Sequence, residues 1–436
     1  MLTLTGKKIA ILGYGVNNHE VAHYLVRQGH AITILDKDPR VKDGQPFSDE
    51  EQQLVTWEIV PDVTVDLARF DVVFRSPGFS TELPGIREAT TAGTTFTSQT
   101  SYFFELTPAR TIGITGTKGK GTTSTLITKI LEAGYKDGKV YLAGNIGLDP
   151  FSFLEQLTKD DIVVLELSSF QLEDCAHSPE IAVLLHVTQD HLEHHGSLQN
   201  YRAAKAKILA YQRPHDLAII NTGYPEMQEY MALGHGRTIE YSRATELPFS
   251  VADRKLRGEH NLENIIPAYL VAKEFGISDD VVKEVVCSFT GLEHRLSFVG
   301  EVNGVAFYDD SIATTPESSQ VSVEAFPGKT IHLILGGRDK GADYTAFAER
   351  IAPQCASVYL LPGNTSKAFE RGFANAFYTN FQEVPDAPAA VEAALAIAKP
   401  GEVVLLAPGT RSDTPYDNYA ERGNDFANAV RRHMVE

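Results

Sequence analysis

The sequence predicts an α/β protein of three domains, and three observations carry that prediction. Short apolar runs of strand length recur along the chain, separated by stretches with helical spacing, which is the pattern of parallel sheets covered on both faces. A glycine-rich segment, Thr115 to Thr123, follows the strand-like Arg110 to Ile114 and opens a helix, as a phosphate cradle does. Breaks near Ser98 and Gly291 divide the 436 residues into three blocks. These are a Rossmann-like N-terminal domain (1–98), a central P-loop ATPase domain with a mostly parallel sheet (99–292) and a Rossmann-like C-terminal domain (293–436).

In the first block, Lys8 to Leu12 reads as a buried strand, followed by Gly13-Tyr14-Gly15, a helix to about Gln28 and the strand Ile32 to Asp36. Asn18 stands where a dinucleotide fingerprint has its third glycine, so the motif for a nicotinamide cofactor is incomplete. Asp36 at its strand end is placed for a ribose or sugar hydroxyl. A further strand, Asp71 to Phe74, leads into Ser76-Pro77-Gly78 at the same carboxyl edge.

The second block holds the phosphate loop. Successive N–H groups of Gly116 to Thr122 and the positive end of a helix would bind a polyphosphate, with Lys120 as a point charge. The helix is expected over Thr123 to Ala133, where Leu126, Ile127, Ile130 and Leu131 share a face. Gly121 occupies the position at which a Ser or Thr would offer Mg²⁺ a hydroxyl. Strands Asp161 to Glu166 and Ile181 to Val187 follow, with helices over Leu198 to Tyr211 and Asn261 to Phe275. Glu166 emerges at the sheet edge as a Walker-B-type carboxylate. Thr188 to His195 looks like a zinc cluster but lacks the HExxH order; His191, nearest the strand end, belongs in the site, and His194 and His195 are expected on the surface. Lys205 reads, on its chemistry alone, as a solvated lysine.

In the third block, strands Val305 to Tyr308, Thr330 to Leu335, Ser357 to Leu361 and Glu402 to Leu406 precede a last helix from about Asp417 to Val435. Asp309-Asp310-Ser311 and Gly336 to Gly341 sit at strand ends, where Arg338 and Lys340 suit a carboxylate or phosphate.

The formal charge of −18 argues against nucleic acid or an anionic membrane as partner, so basic groups such as Lys120, Arg295, Arg338, Lys340 and Arg411 must oppose the global field locally. Three cysteines with no close pair give neither a disulfide framework nor a cysteine metal site. No stretch has the length of a membrane span, and the start of the chain carries no export pattern. A cytoplasmic protein, not inserted in a membrane, is expected.

Taken together these segments resemble the Mur ligase family, ATP-dependent amide ligases of peptidoglycan precursor synthesis and so of cell-wall biogenesis. The resemblance spans the whole chain and is carried by Thr115 to Lys120, Gly144-Asn145-Ile146-Gly147, Glu166 to Glu173, Asp190-His191, Tyr201 to Lys205, His260-Asn261, His294-Arg295, Asp310-Ser311, Leu335-Gly336-Gly337 and Arg422-Gly423-Asn424. Glu-Leu-Ser-Ser-Phe-Gln-Leu-Glu, residues 166 to 173, is similar to the glutamate-adding member. A full βαβ domain ahead of the phosphate loop sets the chain apart from folylpolyglutamate synthase.

The resemblance implies small-molecule substrates (ATP, glutamate and UDP-N-acetylmuramoyl-L-alanine), a pair of Mg²⁺ ions and a monomer. It implies UDP-substrate contacts from Gly15, Val16, Asn17, Asp36 and Gly78, with Asn145, Ser168, Gln171 and His191 at the sugar and peptide. ATP would meet Gly116, Thr117, Lys118, Gly119, Lys120, Gly121 and Thr122, with Asn261 and Arg295 near the nucleotide and Asp310 at its ribose. Glu166, Thr122, His191 and a carbamylated Lys205 would surround the metal, Lys120, Glu166, His191 and Lys205 being catalytic. The implied amino-acid pocket is Thr314, Lys340, Ser412 and Tyr419.

One departure bears on the amino acid. The family's pocket lysine is replaced by Ile312, and Asp413 adds an acid that Arg411 would offset. A variant group specific for L-glutamate has a similar Asp-Ser-Ile and Thr-Thr-Pro; D-glutamate is expected as the commoner substrate. The competing readings are a nicotinamide-dependent oxidoreductase, which leaves the phosphate loop idle, and a non-catalytic nucleotide-dependent regulator.

Overall fold

A computed structural model describes residues 2–44, 47–256, 258–338, 344–413 and 415–434. It divides into two compact units, Met1–Ser250 with Leu262–Val285, and Val251–Asn261 with Val286–Glu436.

The first unit contains two parallel sheets. One has β1 (Ile9–Leu12), β2 (Ile32–Asp36), β3 (Val55–Ile59), β4 (Val72–Arg75) and β5 (Thr95–Thr97) in the order β3-β2-β1-β4-β5. Every pairing in it is parallel. The other has β6 (Arg110–Thr115), β7 (Val140–Gly144), β8 (Ile162–Glu166), β9 (Ile181–Leu184), β10 (Leu217–Asn221) and β11 (Arg237–Tyr241) in the order β11-β10-β9-β6-β8-β7, again all parallel. β8 and β9 bury every residue, because helices cover both faces of an inner parallel strand. β6 lies between β8 and β9, so the chain reverses its direction of travel across the sheet there. Such a switch point opens a crevice at the carboxyl ends of the strands.

Two boundaries differ from the sequence expectation for physical reasons. β9 stops at Leu184 rather than Val187: Leu185 N–H donates to Thr115 O (2.9 Å), and His186 O accepts from Thr117 N–H (2.9 Å), so the chain leaves the ladder to brace the phosphate loop. The helix begins at Lys120 rather than Thr123, since Gly119 in the left-handed region (φ 86°) turns the loop straight into it.

The two sheets of this unit are joined by Arg75 at the end of β4. Its side chain is fully buried and reaches Asp174 (Nε to Oδ2, 2.8 Å) and Glu173 (Nη1 to Oε2, 3.4 Å) beyond the end of β8. It also donates to the Phe79 carbonyl.

The second unit has one mixed sheet, β12 (Ser297–Val302), β13 (Val305–Asp309), β14 (Ile331–Gly336), β15 (Cys355–Leu361), β16 (Phe381–Glu383) and β17 (Val403–Leu406), ordered β12-β13-β17-β14-β15-β16. Only the β12–β13 hairpin is antiparallel. Apolar clusters on both faces include Leu333, Phe369 and Leu405 on one and Phe307, Val391 and Phe426 on the other. Phe426 belongs to the helix Tyr419–Met434. No helix among the described residues is long and apolar enough to cross a membrane.

Replacing Arg75 by Met should leave Glu173 and Asp174 with uncompensated charge in a buried setting. A loss of about 3–5 kcal/mol is expected, measured as a lower denaturation midpoint of the first unit.

Candidate functional site

The phosphate loop is fastened to its neighbours before any ligand is considered. Thr115 Oγ1 donates to Leu167 O (2.7 Å) on the β8 side. On the β9 side, Thr117 Oγ1 accepts from Thr188 N–H (2.9 Å) and lies 3.0 Å from the Tyr201 hydroxyl. Gly116 has φ 154°, and a Cβ there would sit 2.6 Å from Leu185 Cβ, so the close packing demands glycine. Gly119 faces Asn264, whose Oδ1 accepts from Thr123 Oγ1 (3.2 Å). The helix Lys120–Gly134 has no side-chain cap, so the N–H groups of its first turn face the loop as an anion site. Lys118 is exposed, and Gly121 and Thr122 are buried.

Two lysines converge on this loop. Lys120 Nζ donates to Gly116 O (3.1 Å) and Thr117 O (3.0 Å). Lys205 Nζ donates to the same Gly116 O (2.8 Å), with the Tyr201 ring 4.8 Å away. Lys205 is 1% exposed, which corrects the reading of it as a solvated lysine. Its position on the inner face of the helix Leu198–Ala210 buries the amine. Burial first, then the Lys120 charge, hold that amine well below the ordinary lysine range, against the pull of Asp190 and Glu166.

Glu166 ends β8 nearly buried, and its Oε1 accepts from Asn145 Nδ2 (3.0 Å). Gly144 (φ 99°) allows this approach, since a Cβ there would overlap the Glu166 carbonyl oxygen. Ser168 and Gln171 form a capping box on the short helix Ser169–Leu172, with Ser168 Oγ accepting from Gln171 N–H (3.2 Å). His191 is half-buried in the left-handed region (φ 50°), its ring 4.8 Å from Phe170 and its Nε2 3.6 Å from Asp190 Oδ2. Glu166, Thr122, Lys205 and His191 offer a carboxylate, a hydroxyl, an amine of depressed basicity and an imidazole, a donor set that would fit Mg²⁺ if the amine were converted to a carbamate.

His194 and His195 depart from the sequence reading. They were expected on the surface, but His195 is 1% exposed and the His194 side chain 12%. Both turn toward Glu173, a partner the local sequence does not announce.

In the first sheet, Gly15 is the uncapped N-terminus of the helix Val16–Arg27, which carries Asn17, and Gly78 is exposed at the carboxyl edge. Asp36 braces the turn: its Oδ2 accepts from Tyr14 N–H (2.7 Å) and its Oδ1 from Asp38 N–H (3.0 Å). Asn18 donates from Nδ2 to Gly13 O (2.9 Å), tying the turn where a third glycine would leave space.

In the second unit, Arg295 is exposed on a loop held from both sides. His294 Nδ1 meets Asp309 Oδ2 at 2.6 Å, and Leu296 N–H donates to Asp310 Oδ1 (3.0 Å). Asp310 is buried and takes a further hydrogen bond from Ser322, and burial pushes its carboxyl up to about 6. Asn261 is buried and its amide lies 3.2 Å from His260 Nε2. Arg422, also buried, donates to Ser311 Oγ (2.9 Å), Ser311 O (2.9 Å) and Gly336 O (3.3 Å), joining the loops after β13 and β14. This anchoring role and that of Tyr201 escaped the sequence analysis, though both lie in segments it singled out.

Thr314 sits just before the helix Pro316–Glu324, Tyr419 is exposed with its ring 6.0 Å from His294, and Ser412 Oγ is buried without a hydrogen-bond partner among the described residues. Lys340 lies outside the described residues. Asp413 is paired with Arg338 (3.0 Å).

The Mur ligase middle domain matches residues 114–253, and the Mur ligase glutamate ligase domain matches residues 294–410. A UDP-N-acetylmuramoylalanine–D-glutamate ligase of Acetivibrio thermocellus is 34% identical, covering 98% of this chain and 97% of that protein. One from Clostridium tetani is 33% identical over 98% of this chain and 96% of its own. The crystal structure of MurF ligase from Thermotoga maritima in complex with ADP shares the fold, with a TM-score of 0.57 at 17% identity, covering 100% of this chain and 97% of that one.

The His294–Asp309 pair gives a pH test. The hydrogen bond to Asp309 holds the imidazole above its ordinary value, so its contribution is complete below the unfolded-state value near ~6.5 and is lost as pH rises through the folded-state value. The stability advantage of wild type over Asp309→Asn should therefore shrink from about pH 5 to about pH 8, followed by thermal denaturation.

Proposed function

The chain belongs to the Mur ligase family, and from that footing we propose that it joins glutamate to UDP-N-acetylmuramoyl-L-alanine at the expense of ATP, in peptidoglycan precursor synthesis. The observation that carries this reading is the conjunction at one switch point of the phosphate loop, the Glu166 carboxylate and the buried amine of Lys205.

The γ-phosphoryl group passes to the substrate's alanyl carboxylate, releasing ADP and leaving an acyl phosphate. The glutamate amine then attacks the acyl carbon, and inorganic phosphate departs as the amide forms. Lys120 and the N–H groups of the first helical turn stabilise charge as it moves between phosphate oxygens. Glu166, Thr122, His191 and Lys205 as its carbamate would hold Mg²⁺, which would supply further charge neutralisation to the phosphoryl oxygens. The depressed basicity of Lys205 supports that modification, because a neutral amine adds to CO₂ and loses a proton to become an anionic ligand. Gly121 brings no hydroxyl, which leaves Thr122 as the loop's side-chain donor.

We assign 1–98 to the UDP end of the substrate, through Gly15, Val16, Asn17, Asp36 and Gly78, with Asn145, Ser168, Gln171 and His191 at its sugar and peptide. Residues 99–292 take ATP, and 293–436 take the amino acid through Thr314, Lys340, Ser412 and Tyr419, with Arg295 and Asp310 serving the nucleotide. The Ser412 hydroxyl, without a hydrogen-bond partner among the described residues, supports a polar ligand there.

The relatives are named for D-glutamate, and that isomer is the first expectation. A second reading, L-glutamate, is favoured by Ile312 in place of the pocket lysine and by the engagement of Arg338 with Asp413, which together change how the pocket meets a side-chain carboxylate.

Phosphate release should require ATP, UDP-N-acetylmuramoyl-L-alanine and one glutamate isomer together. Assays with D- and L-glutamate offered separately decide the handedness, and release with neither sinks the proposal. Lys120→Ala should lower turnover by about 10²-fold or more while calorimetric binding of the UDP substrate persists; surviving turnover would refute the assignment of the loop.

A further inference from the structure

Glu173, His194 and His195 bring a carboxylate oxygen and two imidazole nitrogens within 4.8 Å of one another. We propose that these three side chains bind a divalent transition cation of the zinc type, at a site separate from the set around the phosphate loop.

The donor set is the first argument. Two neutral imidazoles and one carboxylate suit Zn²⁺, with water completing a tetrahedron, and suit Mg²⁺ poorly. The ligands also come from two helical turns: Glu173 caps the helix Ser169–Leu172, and both histidines lie on the single turn Leu192–His195.

The outer contacts are the second argument. His195 Nε2 is engaged by Ser169 Oγ at 3.0 Å, leaving Nδ1 facing Glu173 Oε1 at 4.0 Å. That separation exceeds a hydrogen bond. A tetrahedral cation with bonds of about 2 Å holds its ligand atoms about 3.3 Å apart, so the pair would close in slightly on binding it. Thr81 Oγ1 donates to Glu173 Oε1 (3.1 Å), and Arg75 lies 3.4 Å from Oε2, so the carboxylate is oriented from behind. Arg75 is shared with Asp174 at 2.8 Å, and Lys207 donates to the Glu173 backbone carbonyl rather than to its side chain. His194 Nε2, 3.2 Å from Glu173 Oε2, would exchange its hydrogen bond for a metal bond, with the ring proton carried on Nδ1.

Such an ion would fasten the turn carrying His191 to the end of the Glu166–Glu173 segment. Its role is structural, and the proposal does not depend on the ligase reading.

The test uses the full chain, stripped with chelator and kept in saturating Mg²⁺. Zn²⁺ is titrated against a chromophoric chelator, and Co²⁺ serves as an optical probe. Wild type should take up one tight equivalent, and Co²⁺ should give the intense visible bands of low coordination number. His194→Ala, which leaves the Arg75 pairs intact and changes the least buried ligand, should weaken zinc by at least about 10-fold with an unchanged apo circular dichroism spectrum. His191→Ala should leave zinc affinity unaltered. Absence of stoichiometric zinc in wild type, equal affinity in His194→Ala, or loss on His191→Ala instead would each overturn the site.

Discussion

Everything in the first unit depends on how the chain leaves β6. Thr115 and Thr117 are hydrogen-bonded to both flanking segments, through Leu167 on one side and Leu185, His186 and Thr188 on the other. The phosphate loop is therefore a fixed outgrowth of the sheet. Its glycines allow the approach, because Gly116 and Gly119 pack where a Cβ would strike Leu185 or Asn264. A preformed loop pays its ordering cost on folding, so its N–H groups need no rearrangement when a phosphate arrives.

That rigidity governs the electrostatics. A chain with a net charge of −18 must still attract a polyanion, and Lys120 and a helix N-terminus directed at one place supply the local positive charge. The same crowding changes Lys205. An amine buried beside a second lysine is costly to protonate, so a group that would be a surface cation elsewhere has its basicity depressed here. Glu166 and Asp190 oppose that shift without cancelling it.

The second unit solves its anchoring problem with a single guanidinium. Arg422, brought to about 10 by burial, reaches the loops after β13 and β14 and satisfies carbonyls that would otherwise be orphaned. Asp309 and Asp310 grip the residues on either side of Arg295, so that its exposed side chain extends from a loop already held in place.

By itself the sequence determined the α/β class, the phosphate loop, the strand-end position of Glu166 and the family. Those features are local: an apolar run, a glycine spacing, a residue placed just after a strand. The inner strands β1, β8 and β9 were legible because burial on both faces makes them apolar runs, whereas β10, equally buried, was missed. Edge strands such as β3, β11 and β16 were not, since their mixed exposure leaves no run to read. Tertiary structure alone decided the burial of Lys205, the inward turn of His194 and His195 toward Glu173, the pairing of Arg75 with Glu173 and Asp174, and the engagement of Asp413 by Arg338. Each of these joins residues distant in sequence, and whether a charge is solvated or buried depends on what the rest of the chain packs against it, which no local pattern encodes.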